Sequence, residues 1–110
     1  MDFGKAIENL KKEALLTRKD WRNNEIFVFM RPEDRLSYDF IAERVKSLPR
    51  DVKKYYVGLV AERPETAVCT ATFSAYLCMK LADGSIMNGW VPTQSDMLSE
   101  DWEMILPLKY

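Results

Sequence analysis

Histidine is absent from the 110-residue chain. That removes the side chain that most often serves as general base near neutral pH, activates a nucleophile or binds zinc. Cysteine is scarce: Cys69 and Cys78 stand nine residues apart in apolar, strand-like surroundings, with no Cys-x-x-Cys element. They read as buried structural thiols, and a reducing compartment disfavours a disulfide between them. The four glycines, Gly4, Gly58, Gly84 and Gly89, lie far apart, which excludes a phosphate-cradling Gly-x-Gly-x-x-Gly or Walker-type loop. Long apolar runs are missing too. Ile26 to Met30 extends for five residues, whereas about 20 are needed to span a bilayer. Met1 leads straight into Asp2-Phe3-Gly4 with neither a basic region nor an apolar signal core. The expected location is therefore cytoplasmic, with no membrane partner.

Charge of one sign is nowhere concentrated. The net charge is −1, yet residues 1–54 carry 13 of the 16 Lys and Arg against 10 acids, and residues 55–110 carry 3 against 7. An excess of +3 interleaved with acids is not the basic stripe that a nucleic acid polymer requires. It suffices for a small anion gripped by a few arginines. Acid–base chemistry is left to carboxylates, of which Asp96, Glu100 and Asp101 are candidates; the last two sit in a polar segment and read as a solvated face. No enzyme, no cofactor and no metal site is expected.

What is present is an ordinary globular balance, 47% hydrophobic and 30% charged, in a length that fits one domain. Phe3, Ala6, Ile7, Leu10 and Ala14 recur at helical spacing behind Asp2, a suitable N-cap, and predict an amphipathic helix near residues 3–13. Leu15 to Arg18 reads as a short strand, Asp20 to Asn24 as a turn, and Ile26 to Met30 as a strand. Leu36, Phe40, Ile41, Val45 and Leu48 predict a second helix ending before Pro49, with a further helical turn or short helix over Asp51 to Val57. Glu62-Arg63-Pro64-Glu65 is a polar break. Residues 72–81 give a long strand, Asp83-Gly84 a hairpin turn, and Ile86 to Val91 its partner. Gln94 to Glu100 makes a turn or short helix capped by Ser95 or Asp96, Trp102 to Leu106 a last strand, and Pro107 to Tyr110 a tail. The sum is an α+β protein with a small antiparallel sheet, an N-terminal helix and a helical insertion.

Two ends of the chain carry a recognisable pattern. The first is Phe3-Gly4-x-Ala6-Ile7-x-x-Leu10-Lys11, then Arg18-x-x-Trp21, Asn24 and Ile26-Phe27-Val28-Phe29. The second is Met79-Lys80-x-Ala82-Asp83-Gly84-x-Ile86, then Trp90-x-Pro92-x-Gln94-x-Asp96-x-Leu98 and Asp101-Trp102. Together they resemble the Thoeris anti-defence type 2 family of small phage and prophage proteins, over about half the chain. The resemblance implies one domain over residues 1–110 with a variable helical segment at about 31–65. It further implies a non-enzymatic sponge, encoded by a phage or prophage and acting in the bacterial cytoplasm. Such a protein sequesters glycocyclic ADP-ribose, the signal of Thoeris immunity, and self-associates, commonly as a homotetramer with pockets between subunits. Some members take cyclic dinucleotides of the CBASS pathway at a separate site, which is the alternative ligand class here. A carboxylate-based cyclic nucleotide hydrolase and a direct protein-binding inhibitor are the further alternatives.

A cyclic ADP-ribose needs an aromatic platform, polar groups for the adenine edge and ribose hydroxyls, and donors for its pyrophosphate. Trp21 sits in a polar turn, where ligand contact and packing are equally open. Arg18, three residues earlier, offers a guanidinium fork that matches pyrophosphate, or else a surface ion pair with Asp20 or Glu25. Trp90 closes a strand and packs in the core with an edge free to line a pocket. Thr93, Gln94 and Asp96 follow on a turn: Gln94 to read the adenine edge, Asp96 to accept ribose hydroxyls or to cap the next helix, Thr93 to assist. Phe27 and Phe29 read as core, as does Trp102; Lys80 reads as a solvated strand residue or else a phosphate contact, and Lys53-Lys54-Tyr55-Tyr56 as a surface helix end or else the lining of a second nucleotide pocket.

Overall fold

The computed structural model describes residues 1–63 and 69–105. Two compact units divide them: one runs to Pro32 and resumes at Ala75, and the other lies between Glu33 and Ser74.

The first unit opens with helix α1, Phe3–Lys11, whose first turn is closed by the Asp2 carboxylate accepting the Lys5 N–H at 2.8 Å. The helix buries Ala6 and Leu10, and the chain leaves it through Glu13 in the left-handed region, φ 70°. Five strands follow in this unit: β1 Leu15–Arg18, β2 Phe27–Arg31, β5 Tyr76–Lys80, β6 Ile86–Asn88 and β7 Trp102–Ile105. They form one antiparallel sheet in the order β6-β5-β2-β1-β7. The β5–β6 turn is the expected Asp-Gly hairpin, with Gly84 at φ 92° and Asp83 accepting both the Ser85 amide and its hydroxyl.

Register assigns the two faces of the sheet. Leu16 lies opposite both Val28 and Met104, and Arg18 opposite Trp102, so all five share a face. Against that face α1 lays Ala6 and Leu10, building a core of Ala6, Leu10, Leu16, Val28, Trp90 and Trp102, with Phe3, Ile7, Trp21, Leu77 and Met79 packed around it. Phe27 and Phe29 have the opposite parity. The core position expected of them belongs to Val28, while their rings, 6.1 Å apart, stay half-buried on the other face.

The second unit holds β3 Asp34–Ser37, α2 Tyr38–Glu43, α3 Arg50–Glu62 and β4 Thr70–Phe73. β3 and β4 pair with each other, Ser37 opposite Thr70. The single helix expected from Leu36 to Leu48 is thus much shorter. Ser37 ends the strand and caps α2 by accepting the Phe40 N–H at 3.1 Å, so Leu36 is strand, while the helix stops at Glu43. The excursion, expected to be helical over about 31–65, runs from Glu33 to Ser74 and carries a two-stranded sheet as well. Its helices meet at Tyr38 and Tyr56, ring centroids 5.1 Å apart, and Ile41 is buried.

Two other expectations change. The long strand over 72–81 is divided at Ser74-Ala75 into β4 and β5, which belong to different sheets. The strand expected to reach Val91 ends at Asn88, because Gly89 turns left-handed at φ 73° and swings Trp90 into the core, its N–H on the Leu77 carbonyl at 2.8 Å. Pro64 and Glu65 of the polar break, Leu106 of the last strand and the tail Pro107 to Tyr110 lie outside the described residues. No described helix is long and apolar enough to cross a membrane.

Leu10 is 1% exposed at the centre of the α1–sheet contact. Leu10→Ala is expected to lower the unfolding free energy by about 2–5 kcal/mol through lost transfer energy and a residual cavity. Urea denaturation checks it; a loss below about 1 kcal/mol would show that the core closes without this side chain.

Candidate functional site

The candidate residues come from three stretches of the first unit. β1 alternates Leu16 on the core face and Thr17, also buried, on the opposite face, which returns Arg18 to the core face at the strand's end. The chain then turns, with the Trp21 N–H on the Arg18 carbonyl at 2.9 Å, into a short 3-10 helix at Arg22–Asn24. The turn folds Trp21 back against the core instead of into solvent. Its ring meets Trp102 edge-on at 5.3 Å and Trp90 edge-on at 6.2 Å, and Trp90 and Trp102 lie 6.2 Å apart. All three tryptophans of the chain therefore form one cluster of perpendicular contacts, the arrangement that ring quadrupoles favour. The Arg18 guanidinium stands 5.7 Å from the Trp21 ring centroid, within cation–π range.

The third stretch is helix α4, Gln94–Leu98. Its N-cap is Thr93, not Ser95 or Asp96. The Thr93 hydroxyl accepts the Asp96 N–H at 3.1 Å while Asp96 Oδ2 accepts the Thr93 N–H at 2.8 Å, a reciprocal capping box. Asp96 Oδ1 receives Arg18 Nη1 at 2.8 Å, and the Asp96 carbonyl receives Trp102 Nε1 at 2.9 Å. Asp96, 5% exposed, is thus held by β1, by its own helix cap and by β7. The second nitrogen of Arg18 that bonds, Nε, donates to Asp101 Oδ1 at 3.0 Å, and that oxygen also accepts the Ser99 hydroxyl. The Ser99 hydroxyl and the Arg18 guanidinium hold the Asp101 carboxyl below the usual carboxylate range. The same pair with Asp101, and that with Asp96, pushes Arg18 up, against its burial.

The structure therefore brings Arg18, Trp21, Trp90, Thr93 and Asp96 into one cluster. Arg18 does not turn to Asp20 or Glu25. Both Asp96 oxygens already accept hydrogen bonds within the chain, so its cap is observed directly and a bond to a ribose hydroxyl would have to use a remaining lone pair. Thr93 and Gln94 face solvent, and among the described residues the Gln94 amide has no hydrogen-bond partner. Asp101, expected on a solvated face, instead pairs with Arg18 and Ser99. The Thr-x-x-Asp spacing of the capping box was the available signal for the Thr93–Asp96 pair; nothing local marked Asp101.

A cavity of about 520 Å³ opens on the other sheet face, and none of these six candidates lines it. Thr17, Phe27 and Ile105 are among its lining residues, together with Arg22 and Glu25 of the β1–β2 loop. Lys80 also lines it, donating to the Glu25 carbonyl at 2.9 Å and standing 5.9 Å from the Phe27 ring centroid, so it is not the solvated residue expected. Glu25 holds the left-handed conformation, φ 56°, that presents this carbonyl.

Two outcomes follow from the cluster. Asp96→Ala leaves Arg18 without its buried partner and removes the cap, and is expected to cost about 3–5 kcal/mol of stability; thermal unfolding reads it, and an unchanged midpoint would contradict the ion pair's role. Asp101 contributes stability that is fully present above the ordinary carboxylate value of about 3.9 and is lost as pH falls through its lowered folded-state value. The stability gap between the parent protein and Asp101→Asn is thus expected to narrow on acidification from about pH 5 to pH 2. Urea midpoints across that range would refute this by remaining parallel.

Comparison with known proteins matches residues 1–105 to a family model described as Thoeris anti-defense 2-like domain. The Thoeris anti-defense 2 protein of Bacillus phage SP01 is 30% identical over 105 residues, which make up 96% of this chain and 94% of the phage protein. With its tryptophan cluster, capped α4 and five-stranded sheet within the matched span, the chain belongs to the Thoeris anti-defense 2 family.

Proposed function

We propose that this protein counters Thoeris immunity by binding glycocyclic ADP-ribose without chemical conversion, keeping the signal from its effector in the cytoplasm of the infected bacterium. Family membership supports the anti-Thoeris role. The observation that carries the binding mode is the Arg18–Trp21 pair, a guanidinium 5.7 Å from an indole centroid, beside the exposed Thr93 and Gln94. Guanidinium suits the pyrophosphate, the indole suits the adenine face, and a free amide suits the adenine edge. Sequestration needs no general base, in keeping with a chain that has no histidine.

Assembly completes the reading. Val91 and Leu98 flank Thr93 and Gln94 in the chain with 78% and 81% of their surface exposed. Exposed apolar groups of this kind mark contact surfaces, and a homotetramer would cover them while closing the ligand pocket between subunits. A second reading, with cyclic dinucleotides bound at a separate site, is supported by the cavity on the opposite sheet face.

Calorimetric titration with glycocyclic ADP-ribose is expected to show saturable, tight binding. Trp21→Ala is expected to weaken it by about 1–3 kcal/mol, the usual contribution of one base-stacking ring. Gln94→Ala, at an exposed position, is expected to weaken it with the thermal midpoint unchanged. Absence of heat with this ligand, followed by heat with a cyclic dinucleotide, would overturn the first assignment in favour of the second.

A further inference from the structure

Arg18 holds two carboxylates of different standing. Asp96 is fixed at four points: its oxygens take Arg18 Nη1 and the Thr93 N–H, its own N–H bonds the Thr93 hydroxyl, and its carbonyl takes Trp102 Nε1. Moving it dismantles the α4 cap and frees a buried indole. Asp101 is fixed to Arg18 and to Ser99 alone among side chains, and its side chain is 31% exposed against 7% for Asp96. It also spends one oxygen, Oδ1, on both partners. Nε and Nη2 form the side-on edge of a guanidinium, and Asp101 occupies the Nε half; among the described residues Nη2 has no hydrogen-bond partner.

We propose that Asp101 is an internal stand-in for a ligand phosphate on Arg18: a phosphate group takes the Nε–Nη2 edge with two oxygens, Asp101 turns out to solvent, and Asp96 stays in place. This rests on the reading of Arg18 as the anion contact of the proposed ligand. The exchange is chemically directed. A phosphate oxygen replaces the single Asp101 oxygen at Nε, and a second oxygen gains Nη2, so the incoming group makes one more charge-assisted bond than the one it displaces. Acetate can span the same edge with its two oxygens, but its single charge only matches that of a carboxylate that is already tethered, so acetate, unlike pyrophosphate with its higher charge, does not displace it. Arg18 is thereby selective for phosphate esters and pyrophosphates, and Asp101 sets the threshold.

The test uses inorganic pyrophosphate, with sodium acetate at matched ionic strength, followed through the ¹⁵N resonance of Arg18 Nε in the full chain. Pyrophosphate is expected to shift that resonance saturably and acetate to leave it in place. Asp101→Asn, which removes the competing charge and keeps an oxygen for Ser99, is expected to tighten pyrophosphate binding by about tenfold. Ser99→Ala, which loosens Asp101 without touching the ion pair, is expected to tighten it in the same direction and serves should Asp101→Asn misfold. An unmoved Arg18 resonance, or a Kd for pyrophosphate that is unchanged or weaker in the two variants, would overturn the exchange and leave Asp101 a structural ion pair. Failure of glycocyclic ADP-ribose to bind while pyrophosphate still shifts Arg18 would sink the ligand assignment alone.

Discussion

A buried carboxylate organises the first unit. Asp96 sits at the start of a five-residue helix that is too short to be stable by its own hydrogen bonds. What holds that helix is its cap and the bond of Asp96 Oδ1 to Arg18 at the end of β1. The same residue's carbonyl anchors Trp102, the largest fully buried side chain, whose ring in turn packs against Phe3 of α1 and against Trp21. Burying an ion pair costs desolvation that hydrogen bonds must offset. Here both carboxylate oxygens are engaged, and no buried side-chain polar atom among the described residues is left unpartnered.

The two faces of the sheet consequently differ in chemistry. On one, Leu16, Arg18 and Trp102 join α1, α4 and the tryptophan cluster, with charge concentrated at the Arg18 end. On the other, Thr17, Phe27, Ile105 and Lys80 line a cavity. In the proposed binding mode a phosphate-bearing ligand meets the first face at the partly exposed Arg18, beside Asp101. Affinity at that edge is then a difference between two anions competing for one guanidinium, so a change at Asp101 alters binding without altering any residue that touches the ligand.

Much of this was legible from the sequence, for definite reasons. The helix at Phe3–Lys11 was announced by its apolar spacing behind Asp2, and the β5–β6 hairpin by Asp83-Gly84, because both are local rules. The gathering of Trp21, Trp90 and Arg18 was legible only through family resemblance, since it depends on strand order, which no local pattern encodes. The second unit was misread where apolar spacing ran continuously: Leu36 fits a helix as well as a strand, and the choice is made by pairing with β4 about 35 residues away. The split between β4 and β5 at Ser74-Ala75 was hidden for the same reason. Asp101 was invisible because its partner Arg18 is 83 residues distant.

The proposed function turns on whether the protein holds its signal rather than destroying it. The direct measurement is to load the protein with limiting glycocyclic ADP-ribose, remove free nucleotide, denature the complex by heat and identify the released species by mass spectrometry. Quantitative recovery of the intact cyclic molecule is expected. Release of an opened or hydrolysed product would contradict it and make the carboxylates around Arg18 the place to look for catalysis.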